Sequence, residues 1–224
     1  MKAHSFIYLI IYSCFIMSVS LQAQEHFADR YNVSYITMDD GLPHNFIDDI
    51  YKDTRGFLWI STAGGGLSRY DGYEFIHFNP NTPHSKLKSN FIHNVYEDRF
   101  HRLWIVSEGG TDIIDLSTLQ SVIPNDPKGL LPRFINHPTY IVILDSQGCI
   151  WLQCDNALHR ITFDAEGGID TLSTLDLPEQ DEPDLILKDI DEDGKIWTGI
   201  NGTIYKITPT PQGQLEKSSI SEQL

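Results

Sequence analysis

An all-β fold, a β-propeller of four-stranded antiparallel blades, is what this sequence predicts, and three observations predict it. Tryptophan recurs at Trp59, Trp104, Trp151 and Trp197, in steps of 45, 47 and 46 residues. Each tryptophan closes a similar short unit: an Asp, a turn with Gly at its end in three of the four copies, and a Leu or Ile just before the Trp. Between the units lie short β-branched and aromatic runs bounded by turn residues, with no long stretch of helical period. Four short strands in about 45 residues make one propeller blade, and a period of that length takes precedence over any other feature.

The chain opens with a different material. Met1-Lys2 is a positive start, Phe6 to Val19 is mainly apolar and uncharged, and Leu21-Gln22-Ala23 follows. Residues 1–23 read as a secretory signal peptide cleaved after Ala23, with Ser20 as second choice because Leu21 is large for its place. The apolar run falls short of the about 20 residues of a membrane span, which disfavours an uncleaved anchor. A lipoprotein reading at Cys14 is weaker still, because so little apolar chain precedes it. The propeller then occupies residues 24–224. Tyr31 to Thr37 is expected to be a single strand, placed before Asn45 as Tyr73 to Phe78 is placed before Asn90. In closed propellers such a strand completes the last blade.

The blades are expected at about 45–80, 90–122, 137–177 and 184–220. In the first, Phe46 to Tyr51 suits a strand. Asp53 to Gly56 is a tight turn, since Asp hydrogen-bonds nearby backbone and Gly accepts positive φ. Leu58-Trp59-Ile60 begins the second strand, and Gly64-Gly65-Gly66 turns the chain again. Leu67 to Tyr70 is the third strand, Asp71-Gly72 a hairpin signal, and Tyr73 to Phe78 the fourth. The Asp53, Gly56 and Trp59 unit returns as Asp98 and Trp104, with His101 at the glycine position. It returns again as Asp145, Gly148 and Trp151, and as Asp191, Gly194 and Trp197. All eleven residues are read as structural.

Composition narrows the function. Hydrophobic residues make up 41% of the chain, enough for a sizeable core. Lys and Arg total 16 against 31 Asp and Glu, a net charge of −15 that repels nucleic acid and anionic lipid. Cys149 and Cys154 flank Trp151 in one expected strand; five positions apart they point to opposite faces, so separate thiols are expected.

The tempting sites each have a plainer reading. Asp189, Asp191, Asp193 and Gly194 match the first half of a calcium loop, but Ile200 stands where the bidentate Glu belongs, and a solvated hairpin turn explains the residues. The Asp-to-Trp spacing invites comparison with the sialidase Asp-box and with quinoprotein propellers, yet it marks a hairpin and carries no chemistry. His84, His93, His101 and His137 show no metal-ligand spacing. No Gly-x-Ser-x-Gly elbow and no phosphate loop is present. Aromatic rings stack on sugars, but the fixed place of the tryptophans favours packing between blades. No catalytic, metal or cofactor-binding residue is expected. Asn79 to Lys88 and Pro124 to Pro138 are the loop segments where a ligand surface is expected.

The runs Asp40-Gly41-Leu42-Pro43-His44-Asn45, Asp53-x-x-Gly56-x-Leu58-Trp59-Ile60-Ser61-Thr62 and Gly66-Leu67-x-Arg69-Tyr70-Asp71-Gly72 resemble the two-component-regulator propeller repeat. The resemblance extends from about Tyr31 to Ile207. It implies the periplasmic sensor region of a hybrid two-component histidine kinase, a receptor with two seven-bladed propellers outside the membrane and its kinase within. It further implies sensing of glycans or their breakdown products, and a homodimer. Four repeats are visible here and no kinase motif, so the expectation is part of a larger receptor; a stand-alone secreted four-bladed propeller is the alternative.

Overall fold

The computed structural model describes residues 34–83, 86–154, 156–177, 186–190, 195–200, 203–210 and 212–219. They form sixteen strands: β1 (Ile47–Lys52), β2 (Leu58–Thr62), β3 (Gly66–Tyr70), β4 (Phe75–Phe78), β5 (Ile92–Glu97), β6 (Arg102–Ser107), β7 (Gly110–Asp115), β8 (Gln120–Ser121), β9 (Thr139–Leu144), β10 (Ile150–Cys154), β11 (Ala157–Phe163), β12 (Ile169–Asp176), β13 (Ile186–Ile190), β14 (Ile196–Ile200), β15 (Thr203–Pro209) and β16 (Leu215–Ser219). Each consecutive set of four makes one antiparallel meander, β1-β2-β3-β4 and so on, giving four blades. One short helix, α1 (Pro132–Ile135), lies between the second and third blades. The all-β class of four four-stranded sheets is the one the repeat predicted.

The strands of a blade are short because the turn chemistry recurs so often; what joins the blades is burial. Trp59, Leu67 and Phe78 of the first blade share a cluster with Val95, Leu103, Ile105 and Ile114 of the second. Trp104, Val106 and Ile113 of the second meet Val142, Ile150, Leu152 and Ile161 of the third. Trp151 and Leu158 of the third meet Ile196 and Ile207 of the fourth. The core is therefore a series of slabs between neighbouring sheets. Strand β6, in a blade with a neighbour on each side, is buried along its whole length, as expected for a sheet covered on both faces. In the first blade Ile50 is 59% exposed, whereas its counterpart Val95, which faces the first blade, is 2% exposed.

The first strands of successive blades adjoin: β1 touches β5, and β5 touches β9. These first strands are the inner ones, and their open edges are tied by side chains. The Asn94 amide donates to the Val142 carbonyl (2.8 Å) and accepts from the Val142 N–H (3.0 Å). One blade earlier, Asp49 accepts from the Val95 N–H (3.3 Å).

Two expectations need correction. Of the strand expected at 31–37, residues 31–33 lie outside the described residues and 34–37 are irregular. Each described sheet is filled by four consecutive strands of its own, and Thr37 instead caps a 3-10 turn over Met38–Asp40. The segment Pro124 to Pro138 is less a free loop than expected: α1 buries Phe134 against the Trp104 ring, with centroids 6.5 Å apart.

Candidate binding site at the bulged ends of the inner strands

The repeat residues assemble at one end of each of the first three blades. Asp53 Oδ1 accepts from the Arg55 and Phe57 N–H groups, and Asp53 Oδ2 accepts from the Trp59 indole N–H at 2.9 Å. Asp98 does the same for Phe100, Arg102 and Trp104, and Asp145 for Gln147, Cys149 and Trp151. One carboxylate thus closes the β1–β2, β5–β6 or β9–β10 turn and neutralises the polar atom of a buried indole, which accounts for the six-residue spacing of Asp and Trp. The Asp–indole bond was not anticipated from the sequence. Trp59, Trp104 and Trp151 are fully buried, so their faces are unavailable to a ligand. The glycine position takes positive φ: 95° at Gly56, 77° at Gly148 and, in the deviant second copy, 59° at His101. His101 Nδ1 sits 2.8 Å from Glu97, which also accepts from the Thr54 N–H and hydroxyl of the first blade. Asp191 and Gly194 lie outside the described residues. Trp197 stands in β14 with the Lys206 ammonium 5.5 Å over its ring.

The opposite end carries a feature with no sequence signature. The inner strand of each of the first three blades bulges at the same place. The pairing with the second strand skips Asp48 in β1, His93 in β5 and Tyr140 in β9. In the fourth blade the irregularity falls nearer the tryptophan, between Leu187 and Asp189. A bulge frees one residue from the ladder, kinks the strand and re-aims the side chain, and such bulges concentrate beside binding sites. Here the three freed residues are a carboxylate, an imidazole and a phenol on neighbouring inner strands.

The His93 and Tyr140 rings lie 5.5 Å apart. His93 Nε2 is shielded from solvent and has no hydrogen-bond partner. Burial holds the His93 imidazole below its usual range, against the opposing pull of Glu108 and Asp48, so at neutral pH the ring is uncharged with one nitrogen unpaired. Asn90 Oδ1 is likewise buried without a partner.

Hydrogen bonds tie the rim around this row. The Gly66 N–H donates to the Asn90 carbonyl, Ala63 N–H to Phe46, and Glu108 N–H to Phe91. Lys88 is held by Asp112 (2.9 Å) and the Thr111 carbonyl. The segment Asn79 to Lys88, apart from residues 84 and 85, which lie outside the described residues, is pinned by the fully buried Leu87. Phe46 and Phe91 stay open, 63% and 51% exposed, at equivalent places just before the bulges. Among the described residues no group of three or more His, Cys, Asp or Glu could hold a metal ion, and no helix is long and apolar enough to cross a membrane.

Four four-stranded blades, the first three adjoining through their inner strands, define a β-propeller repeat fold. The family model "Two component regulator propeller" matches residues 41–64 and 86–109, within the first two blades. Among curated proteins none matches. A solved structure described as the extracellular domain of the hybrid two component system BT4673 from B. thetaiotaomicron is similar at 24% identity and a TM-score of 0.59, over 85% of this chain and 27% of that one. That of BT3049 from the same organism is similar at 19% identity and TM-score 0.50, over 83% and 32%. A virginiamycin B lyase from Staphylococcus aureus shows 18% identity and TM-score 0.50, over 78% and 56%. At these identities the likeness establishes the fold. This chain spans 25% to 27% of the length of the BT4673 domains it matches.

Proposed function

We propose that this chain is the periplasmic sensory propeller region of a hybrid two-component receptor, and that it recognises glycans or their breakdown products. The observation that carries the reading is the match of its first two blades to two-component regulator propeller repeats. The fold shared with domains described as extracellular parts of hybrid two component systems supports it. Residues 1–23 act as the export signal. The chain works by binding and holds no kinase or other catalytic role; kinase output belongs to other parts of the receptor. It pairs as a homodimer with a second receptor, and ligand changes the relative pose of the two sensor regions by favouring one pre-existing arrangement.

The test is a fractionation immunoblot of cells that encode the chain, using an antibody against residues 24–224, combined with transcript profiling of a deletion strain grown on single glycans. A membrane band far above the 25.5 kDa of this chain, together with loss of one glycan-induced response, is expected. A soluble band near 25.5 kDa, or glycan responses unchanged by the deletion, would overturn the reading.

A further inference from the structure

We infer that the bulge row, Asp48, His93 and Tyr140 with Glu108 and the exposed rings of Phe46 and Phe91, is a binding site for a neutral oligosaccharide and rejects acidic sugars. This deepens the sensing reading and rests on it. Three independent features converge. The first is the bulge itself, repeated at one position in three adjacent inner strands. The flanking ladder pairs in register in all three blades, so the irregularity is confined to one residue in each. That residue changes from Asp to His to Tyr while the tryptophan, its Asp and the turn geometry recur.

The second is unmet hydrogen-bonding capacity. His93 Nε2 and Asn90 Oδ1 are buried without partners, an unmet capacity that a bound water, an ion or a ligand hydroxyl reached by a small side-chain shift would satisfy. A sugar hydroxyl both donates and accepts, and so suits an imidazole nitrogen, an amide oxygen, a phenol and a carboxylate together. The third is the pair of open rings. Phe46 and Phe91 precede the bulges in adjacent blades, and Phe91 lies over Gly64, where a side chain on residue 64 would meet the ring at 3.6 Å. Aromatic faces beside polar groups match the alternating C–H faces and hydroxyl edges of a sugar ring.

Charge decides between sugar classes. The charges acting on His93 are those of Glu108 and Asp48, both negative. Lys88, on the rim, is neutralised by Asp112. A uronate or a sulfated sugar would bring a third negative charge beside Glu108 and Asp48, whereas a neutral sugar meets no such repulsion.

The test uses the full chain on an array of neutral gluco-, xylo-, manno- and galacto-oligosaccharides beside oligogalacturonides and sulfated chondroitin fragments. Each bound probe is then titrated calorimetrically. Binding confined to neutral probes is expected. His93→Ala and Phe91→Ala should each weaken it about tenfold, the loss of one hydrogen bond or one ring contact. Tyr140→Phe should weaken it less, and Tyr73→Ala, at the far end of the first blade, should leave it unchanged. The isosteric pair Asp48→Asn and Glu108→Gln, chosen to preserve packing, should admit acidic probes. Binding of acidic probes by the native chain, or neutral binding indifferent to His93→Ala and Phe91→Ala, would overturn this site while leaving the sensing reading standing. No binding of any neutral probe would overturn it too, and the transcript profile would then judge the sensing reading separately.

Discussion

Replacing Asp53 by Asn tests the central device of the repeat. The wild-type carboxylate accepts three bonds: two from backbone N–H groups of the turn and one, 2.9 Å long, from the Trp59 indole. Asparagine keeps one oxygen for the two backbone donors but turns an NH2 toward the indole N–H, so two donors face each other. Asp53 is 4% and Trp59 0% exposed, so water cannot substitute freely. Leaving one buried donor unsatisfied costs about 1–3 kcal/mol, and Asp53→Ala, which orphans three, should cost about 3–5 kcal/mol because the exposed turn recovers part of the loss. Trp59→Phe removes the indole donor, so Asp53→Asn on that background should cost under about 0.5 kcal/mol, giving a coupling of about 1–2 kcal/mol. Urea unfolding followed by far-UV circular dichroism measures all four proteins, compared at constant m-value. Equal cost of Asp53→Asn on both backgrounds would refute the claim that the carboxylate and the indole act as a unit.

Three further outcomes are expected. Asp49→Asn should stabilise the chain by about 1 kcal/mol, because an amide can donate to Val95 as well as accept, as Asn94 already does toward Val142. Burial raises the Asp49 carboxyl above its ordinary value despite the N–H groups of Val95 and Ile50. A raised folded-state value means the wild type loses stability as pH rises through it, so the advantage of Asn should widen between acid and neutral pH in urea titrations; a pH-independent gap would contradict this. Gly56→Ala should cost about 1–2 kcal/mol, since φ is 95° with no atom within 4 Å of the new methyl, whereas Gly66→Ala should cost more, its Cβ falling 2.4 Å from the Phe78 carbonyl oxygen; equal midpoints would refute the distinction. Burial pushes the Cys149 thiol up to about 11, and Cys149 and Cys154 are both buried and unbridged, so iodoacetamide at pH 8 should label neither in the folded chain and both in urea, as read by peptide mass mapping.

What the sequence by itself determined is what is local. The Asp, Gly and Trp spacing marks turns whose chemistry is completed within seven residues, and a tryptophan every 45 to 47 residues marks one buried anchor per blade. Strand positions and the all-β class follow from these, because each strand is short and bounded by residues with strong turn preferences. His101 shows the limit of the pattern: the glycine is missing, yet the turn keeps its positive φ, because the Asp98 bonds and the flanking strands impose it. Only the tertiary structure decided the rest. The register shift that frees Asp48, His93 and Tyr140 depends on hydrogen-bond pairing between strands, and nothing in the three residues, unlike one another, announces it. The Asn94 clamp on Val142 and the Glu97 grip on Thr54 join residues 48 and 43 positions apart, so they exist only once blades stack. Binding capacity arises at that level for a physical reason: a side chain becomes available to a ligand when the sheet leaves it unpaired, and that is a property of the packed strands together.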